Sequence, residues 1–284
     1  MTYLKKTLLT ILFLLYAVNV SAVHDEEIVF AISPMASPVS TLSSYSDFIK
    51  YISDRTGKKI AIKQRRKYSE INSLLKEDKA QFALTCTGAF LSGQKEFGLE
   101  LLVIPVVNGI TSYNSYLIVN RESKAESFKE LKGMVFAFTD PLSFSGRMYP
   151  MYVMHKMGVK PETFFKRSFY TTGHEKSIKS VALGLAEAAA VDSLIYDDMK
   201  RMNDPSIEKV KIIEVSPPYG IPPIVISPTV EKSTKELILK TLLQMKDDPD
   251  GKEVLRKIQV DKYILPDPVI YDNAAKVRDI TLSQ

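Results

Sequence analysis

The chain has 284 residues, 45% of them hydrophobic, with 38 lysines and arginines against 33 aspartates and glutamates. This weak basic excess falls well short of what a nucleic-acid-binding domain carries, and the one dense basic cluster, at 63–67, is better interpreted as a solvated strand end. A single cysteine, Cys86, excludes an intrachain disulfide, so the fold depends on a hydrophobic core, which a chain of this length can build. Because Cys86 lies in an apolar stretch, we expect a buried, inert thiol.

The first 22 residues have the pattern of a secretory signal peptide. Lys5 and Lys6 precede an apolar run at 8–18, and the small residues that signal peptidase requires follow at 20–22. The apolar run is too short to span a membrane. We therefore expect an exported protein, cleaved after Ala22, whose 36 basic and 33 acidic residues give a formal net charge of +3.

Strands and helices alternate along the first half of the mature chain. Short apolar runs predict the strands, and apolar residues at helical spacing predict the helices. This alternation indicates a mainly parallel sheet flanked by helices. The predicted strands are 28–33, 60–62, 82–85 and 101–107, and the predicted helices follow Thr41, span 68–76 and follow Gly88.

The same alternation restarts after the polar segment 121–129. The segment 216–223 is too rich in proline for a helix or a central strand, so it is predicted to be a connector. We predict two α/β lobes, with the end of the chain returning to the first lobe and finishing as a tail that contains Pro266 and Pro268. The predicted strands are 113–120, 134–138, 167–170, 188–191, 210–215 and 224–226. Three predicted helices have both ends defined, at 175–185, 233–245 and 251–258, and two more are predicted to start after Gly146 and at Ile195.

Segment 138–150 joins a strand end, a loop of small residues and a helix start. A helix start has unpaired backbone N–H groups and the positive end of the helix dipole, so Ser143 and Ser145 could both donate to one oxyanion there. The alternative is that one serine caps the helix while Gly146 permits the turn. This segment alone leaves both interpretations open.

Other polar residues also lie where a predicted strand ends or a helix begins, the place where open α/β sheets bind small molecules. His174 precedes an amphipathic helix, so its ring either reaches an anion at that helix start or serves as a cap or surface residue. Tyrosines in such places often pack by the ring and bond whatever is nearby. The candidate ligand-binding residues are Tyr68, Thr87, Tyr113, Ser143, Ser145, Gly146, His174 and Asp192.

Four stretches together resemble the phosphonate-binding branch of the periplasmic phosphate, phosphite and phosphonate binding proteins of ATP-driven importers. In chain order they are 115–120, 140–146 with Pro150, 164–167 and 173–175, and the resemblance covers nearly the whole mature chain. It implies an α/β, two-lobed type II periplasmic binding protein, with the ligand cleft between the lobes.

The resemblance also implies boundaries for these lobes. We expect a signal peptide at 1–22, the first part of lobe 1 at 23–112, lobe 2 at 113–222, and a return to lobe 1 with C-terminal helices at 223–284. The hinge would lie near 108–115 and 219–224.

In this family the serine-rich helix start holds the phosphonyl oxygens, which implies that role for Ser143 and Ser145. The histidine after glycine corresponds to His174, and the two cleft tyrosines correspond to Tyr68 and Tyr113.

Two departures from the family pattern bear on the ligand. Phe144 replaces a threonine that often adds a hydroxyl to the helix start. Leu194 and Pro222 stand where binders of aminoalkyl phosphonates place carboxylates, with Asp192 nearby. We therefore expect a phosphorus oxyanion without an amine.

Three classes of function follow from the sequence. The first is the binding subunit of an importer, whose partners are a small oxyanion and the membrane permease; the second is a periplasmic sensor that presents its ligand to a membrane signalling protein. The third, an enzyme, is disfavoured because the sequence contains no Gly-x-Ser-x-Gly, no His-Glu-x-x-His and no paired metal-ligand spacing. We expect a monomer in the periplasm, without a cofactor and without a nucleic-acid partner.

Overall fold

The computed structural model of the chain describes residues 27–35 and 38–282. The predicted signal peptide, residues 1–22, lies outside these residues. Within the described residues, no helix combines the length and the apolar character needed to cross a membrane.

Thirteen strands and ten α-helices are present in the described part of the chain. The strands are β1 (Ile28–Ile32), β2 (Ile60–Gln64), β3 (Phe82–Leu84), β4 (Glu100–Val106), β5 (Ser112–Tyr113), β6 (Ser115–Asn120), β7 (Val135–Phe138), β8 (Arg167–Tyr170), β9 (Ala188–Asp192), β10 (Val210–Val215), β11 (Tyr219–Gly220), β12 (Ile224–Ile226) and β13 (Lys262–Ile264). The helices are α1 (Pro38–Thr56), α2 (Tyr68–Lys76), α3 (Thr87–Phe97), α4 (Tyr149–Lys156), α5 (Pro161–Phe164), α6 (His174–Ala182), α7 (Ser193–Arg201), α8 (Lys232–Gln244), α9 (Pro249–Lys257) and α10 (Asp272–Leu282).

The first lobe is built on a six-stranded sheet with the order β13-β4-β12-β3-β1-β2. β1 pairs in parallel with β2 and with β3. β12 lies between β3 and β4 and is antiparallel to both, and β13 is antiparallel to β4. β1 to β4 therefore all run in one direction, and their carboxyl ends lie at one edge of the sheet.

The second lobe is built on a five-stranded sheet with the order β10-β6-β9-β7-β8. β7 is parallel to β8 and β9, whereas β6 is antiparallel to β9 and β10. Between the two sheets, β5 and β11 pair with each other, Tyr113 opposite Tyr219 and Ser112 opposite Gly220. The chain passes from one sheet to the other through these two short strands.

Each lobe has aromatic residues at its centre. Phe30, Phe48 and Phe82 pack together in the first lobe, and Phe136 stacks on Phe165 in the second lobe with ring centroids 4.5 Å apart. All five residues of β1 are buried, as expected for a strand that helices cover on both faces. This burial explains why the sequence shows continuous apolar runs instead of alternation.

The end of the chain is more regular than the predicted tail. β13 pairs with β4, and α10 packs on α3, where Arg278 is buried and its Nη1 donates to the carbonyl of Leu91 at 2.6 Å. A strand of three residues gives too short a pattern to detect, and the prolines at 266 and 268 dominate the local sequence. The apolar positions of α10 include Ala274 and Val277, a weak signal of amphipathicity.

Arg278→Ala should destabilise the protein. The change leaves the Leu91 carbonyl buried without its charged donor, which should lower the free energy of unfolding by about 2 kcal/mol. Urea unfolding measures this loss. Lys276→Ala removes an exposed cation from the same helix and should change the free energy of unfolding far less. Equal effects of the two changes would contradict a role for the Arg278 bond.

Candidate functional site

The carboxyl ends of the parallel strands of both lobes face one cleft, and the lobes contact each other there. The backbone N–H of His174, after β8, donates to the carbonyl of Met35, after β1, at 3.1 Å. The N–H of Tyr68, after β2, donates to Oδ2 of Asp140, after β7, at 3.3 Å. The polar residues at these strand ends are therefore enclosed between the lobes.

The helix predicted after Gly146 begins earlier and with a different geometry. Residues Phe144–Met148 form a π-helical turn that leads into α4, a feature that is frequent at functional sites. Ser143 Oγ accepts the N–H of Gly146 at 3.0 Å, so Ser143 caps the turn. Gly146 allows close packing, because a Cβ at this position would lie 2.3 Å from Thr139 Oγ1.

Three buried hydroxyl groups at this cleft lack a hydrogen-bond partner. They are the phenols of Tyr68 and Tyr113 and Oγ of Ser145, three of the four buried side-chain polar atoms without a partner in the described residues. Leaving a hydroxyl buried and unbonded costs about 1–3 kcal/mol. Three such groups together indicate a site that is completed by a bound polar molecule.

Both tyrosines can serve only as protonated groups. Burial raises the pKa of Tyr68 well above its usual value, and the nearby Cys86 and Asp140 raise it further. Burial likewise raises the pKa of Tyr113, while the hydroxyls of Thr87 and Ser145 act against this rise. Tyr113, on the crossing strand β5, therefore lies close to Ser145 of the second lobe.

His174 is a neutral hydrogen-bond donor. The backbone N–H of Asp192 donates to Nδ1 of His174 at 3.1 Å, so Nδ1 carries no proton and Nε2 must carry one. Thr139 Oγ1 lies 3.2 Å from the same Nδ1. Complete burial lowers the pKa of His174 to about 3. Nε2 lies 3.4 Å from Ser143 Oγ, at the start of the π-helical turn.

Thr87 and Asp192, two further candidates, already have bonds within the protein. The hydroxyl of Thr87 donates to the carbonyl of Gly220 in β11 at 2.8 Å. Oδ1 of Asp192 accepts the N–H of Leu194 at 2.8 Å and caps α7. Burial raises the pKa of Asp192 to about 7.

The residues that depart from the family pattern are apolar contacts in the structure. Phe144 is 1% exposed, and its ring centroid lies 4.6 Å from that of Tyr219. Leu194 is half-buried against the core of the first lobe, and Pro222 is buried after β11. No carboxylate therefore stands at positions 194 and 222.

Three residues at the cleft were not among the candidates from the sequence. Asp140 belongs to the stretch 140–146 that carries the family resemblance but was given no site role, although a carboxylate beside Ser143 and Ser145 was a signal. Thr139 contacts His174, which no local pattern indicates. Gly88 leaves room for the other lobe, since a Cβ there would lie 2.3 Å from the carbonyl of Leu142.

Two α/β lobes joined by a pair of crossing strands, with a cleft at their strand ends, define a type II periplasmic binding protein. Residues 30–271 match the family described as "ABC transporter, phosphonate, periplasmic substrate-binding protein". The chain belongs to this family.

Two curated proteins are similar to part of the chain. The "Phosphonates-binding periplasmic protein" of Escherichia coli is 28% identical over 155 residues, which cover 53% of this chain and 46% of that protein. The "Probable ABC transporter phosphite binding protein PhnD1" of Prochlorococcus marinus is 24% identical over 140 residues, which cover 49% of this chain and 45% of that protein. The chain thus spans about half the length of the curated relatives it matches.

Two solved structures share the fold. A binding protein component of an ABC phosphonate transporter from Pseudomonas aeruginosa superposes with a TM-score of 0.83 at 24% identity, covering 90% of this chain and 86% of that one. PhnD1 of Prochlorococcus marinus in complex with methylphosphonate superposes with a TM-score of 0.83 at 15% identity, covering 92% of this chain and all of that one.

His174 and Asp192 should give opposite pH dependences of stability. Folding holds His174 neutral, so below its unfolded pKa of 6.5 the unfolded state binds the extra proton and stability falls as pH falls. Folding holds Asp192 protonated between its unfolded pKa of 3.8 and its folded pKa of about 7, so stability falls as pH rises through that range. Between pH 3.8 and 6.5 the opposite effects of His174 and Asp192 on the free energy of unfolding should largely cancel.

Single substitutions should reveal each slope. Relative to the original protein, the free energy of unfolding of His174→Asn should rise by about 1.4 kcal/mol per pH unit as pH falls from 6.5 to 4. The free energy of unfolding of Asp192→Asn should rise by a similar amount, relative to the original protein, as pH rises from 4 to 6.5. Chemical unfolding of the ligand-free protein at several pH values measures both. If neither variant changes the pH dependence, the protonation states assigned here are wrong.

Proposed function

We propose that the protein captures a phosphorus oxyanion in the periplasm for an ABC importer. The observation that carries the proposal is the set of unpaired buried hydroxyls of Tyr68, Tyr113 and Ser145. The Nε2–H of His174, which lies 3.4 Å from Ser143 Oγ, is the fourth donor that we assign to the site. A buried oxyanion needs several donors to replace its water, and these four groups are donors without a net positive charge. Family membership supports the same ligand class.

The four donors divide between the lobes. Tyr68 belongs to the first lobe, Tyr113 to a crossing strand, and Ser145 and His174 to the second lobe. An oxyanion between them would bond to both lobes at once and so favour the closed arrangement, as in hinge closure around a ligand. We assign supporting roles to three other candidates: Thr87 to the hinge, Gly146 to the π-helical turn, and Asp192 to the tautomer of His174. Ser143 caps the π-helical turn as an acceptor, and its own O–H remains a further donor for the ligand.

The ligand we favour is a phosphonate, phosphite or phosphate without an amine. A buried ammonium group needs a carboxylate partner, and positions 194 and 222 hold leucine and proline. The relative from Escherichia coli is named for phosphonates, the curated relative from Prochlorococcus marinus is named for phosphite, and PhnD1 from that organism was solved with methylphosphonate. We place the lobe boundaries between residues 112 and 113 and between 222 and 223, at the crossing strands.

The partner we propose is the membrane permease of the importer, which would bind a monomer in its closed state. Uptake of the bound oxyanion by a strain that lacks this protein tests the role. Lost uptake supports transport. Unchanged uptake, with binding intact, would favour a periplasmic sensor that presents its ligand to a membrane signalling protein.

Ser145→Ala should separate binding from stability. Removing an unpaired donor should weaken oxyanion binding about 10- to 100-fold and leave the ligand-free melting temperature unchanged or higher. Calorimetric titration and thermal unfolding with phosphite, methylphosphonate, phosphate, aminoethylphosphonate and sulfate measure both quantities. Ser73→Ala, an exposed serine of α2, is the matched control and should change neither. Absence of binding by the original protein to every phosphorus oxyanion would contradict the proposal.

Gly88→Ala should hinder closure without unfolding the protein. Its Cβ would lie 2.3 Å from the carbonyl of Leu142 across the cleft, while alanine is a better helix former than glycine within α3. We expect at least a tenfold loss of affinity, a ligand-free melting temperature that does not fall, and no compaction in X-ray scattering when ligand is added. Ser92→Ala in the same helix is the control. Ligand-induced compaction of Gly88→Ala equal to that of the original protein would contradict this role.

A further inference from the structure

Asp140 is a buried carboxylate that bonds to both lobes. It follows β7 in the second lobe and is 1% exposed. Oδ1 accepts the N–H of Leu142 at 2.8 Å, within its own loop. Oδ2 accepts the N–H of Tyr68 at 3.3 Å, in the first lobe. One side chain thus fixes the loop that leads to Ser145 and the residue that supplies a donor from the other lobe.

The N–H of Tyr68 depends on this contact from the second lobe. Tyr68 is the first residue of α2, where backbone N–H groups have no partner within the helix. Lys67, at the N-cap position, makes no side-chain capping bond. Glu70 accepts the N–H groups of Arg66 and Lys67, one and two residues before Tyr68. The acceptor for Tyr68 therefore comes from Asp140 when the lobes are closed.

We propose that Asp140 is a positioning residue for ligand capture: its carboxylate aligns Tyr68 of the first lobe with Ser145 of the second lobe as the lobes close. The inference rests on the proposed function of these two donors. Asp140 need not touch the ligand, because it acts through the backbone N–H groups of Tyr68 and Leu142. A carboxylate suits this place, since it can accept both N–H groups and favours the positive end of the α2 dipole.

The charges around Asp140 are consistent with this role. Burial raises the pKa of its carboxyl, whereas the bonds from Leu142 and Tyr68 and the charges of Lys67 and Arg147 lower it. Arg147 itself is held by the hydroxyl of Tyr170 and the carbonyl of Pro141. Donors therefore reach Asp140 from both lobes, which gives the closed state contacts that an open state would lose.

A double-mutant cycle on oxyanion binding tests the proposal. Asp140→Ala should weaken binding of the oxyanion found in the calorimetric panel about tenfold, mainly through faster dissociation. If Asp140 acts by aligning the Tyr68 phenol, the same change should have a much smaller effect in a Tyr68→Phe background, because the group being aligned is already gone. Fully additive effects of the two changes would overturn the proposal.

Asp204→Ala is the matched control. Oδ1 of Asp204 accepts the N–H of Ser206 at 2.9 Å, the same local bond that Asp140 makes to Leu142, but within the second lobe alone. Its removal should leave dissociation of the oxyanion unchanged. An equal effect of Asp204→Ala and Asp140→Ala would reduce Asp140 to a local loop residue and overturn the inference.

Amide hydrogen exchange gives a second measurement that does not need a ligand. Exchange at the Tyr68 amide of the ligand-free protein should be faster in Asp140→Ala than in the original protein, and unchanged in Asp204→Ala.

Asp140→Asn, which keeps the size and one acceptor oxygen, replaces Asp140→Ala if that variant does not fold. If no oxyanion binds, the proposed function fails, and the exchange rate of the Tyr68 amide alone decides whether Asp140 holds Tyr68 in place. An unchanged exchange rate in Asp140→Ala would overturn the positioning role of Asp140.

Discussion

The desolvation of an anion is the constraint on which the proposed function of the cleft depends. An oxyanion leaves water only if protein donors replace its hydration, and each missing donor costs about as much as an unpaired buried hydroxyl. Part of the desolvation free energy is already spent when the protein folds, since Tyr68, Tyr113 and Ser145 are buried without partners. The elements around them serve to hold these groups in place, because unpaired polar groups would otherwise turn toward backbone acceptors or water.

His174 and Asp192 are both neutral for a structural reason, which is the contact between them. The Asp192 N–H occupies Nδ1 of His174, which fixes a donor at Nε2, and burial shifts the pKa values of the two side chains in opposite directions. Below pH 7 both groups are therefore predominantly uncharged. Ionisation of Asp192 at higher pH would put a negative charge near Tyr68, and that charge would repel a bound anion. The site that we propose is therefore better suited to an anion while Asp192 is protonated.

The sequence predicted the strand ends well because apolar runs mark buried parallel strands directly, and the small-residue loop after β7 marked the helix start. It could not separate Ser143 from Ser145. Both are serines at the same helix start, yet Ser143 Oγ accepts the N–H of Gly146, whereas Ser145 Oγ has no partner. That difference arises from the π-helical turn, whose register no local pattern shows. Likewise, no local pattern indicates that the hydroxyl of Thr87 donates to the carbonyl of Gly220 in the crossing strand β11.

The apolar contacts between the lobes explain why the polar donors can stay free. Phe144 and Met148, from the π-helical turn of the second lobe, pack into the core of the first lobe, and Phe144 reaches the crossing strand at Tyr219. These contacts can favour closure through burial of apolar surface, which needs no hydrogen bonds. A threonine at position 144 would add a donor but would bury less apolar area. The phenylalanine therefore shifts part of the stabilisation of the closed state from the ligand to the protein, which leaves the unpaired hydroxyls free for the ligand that we propose.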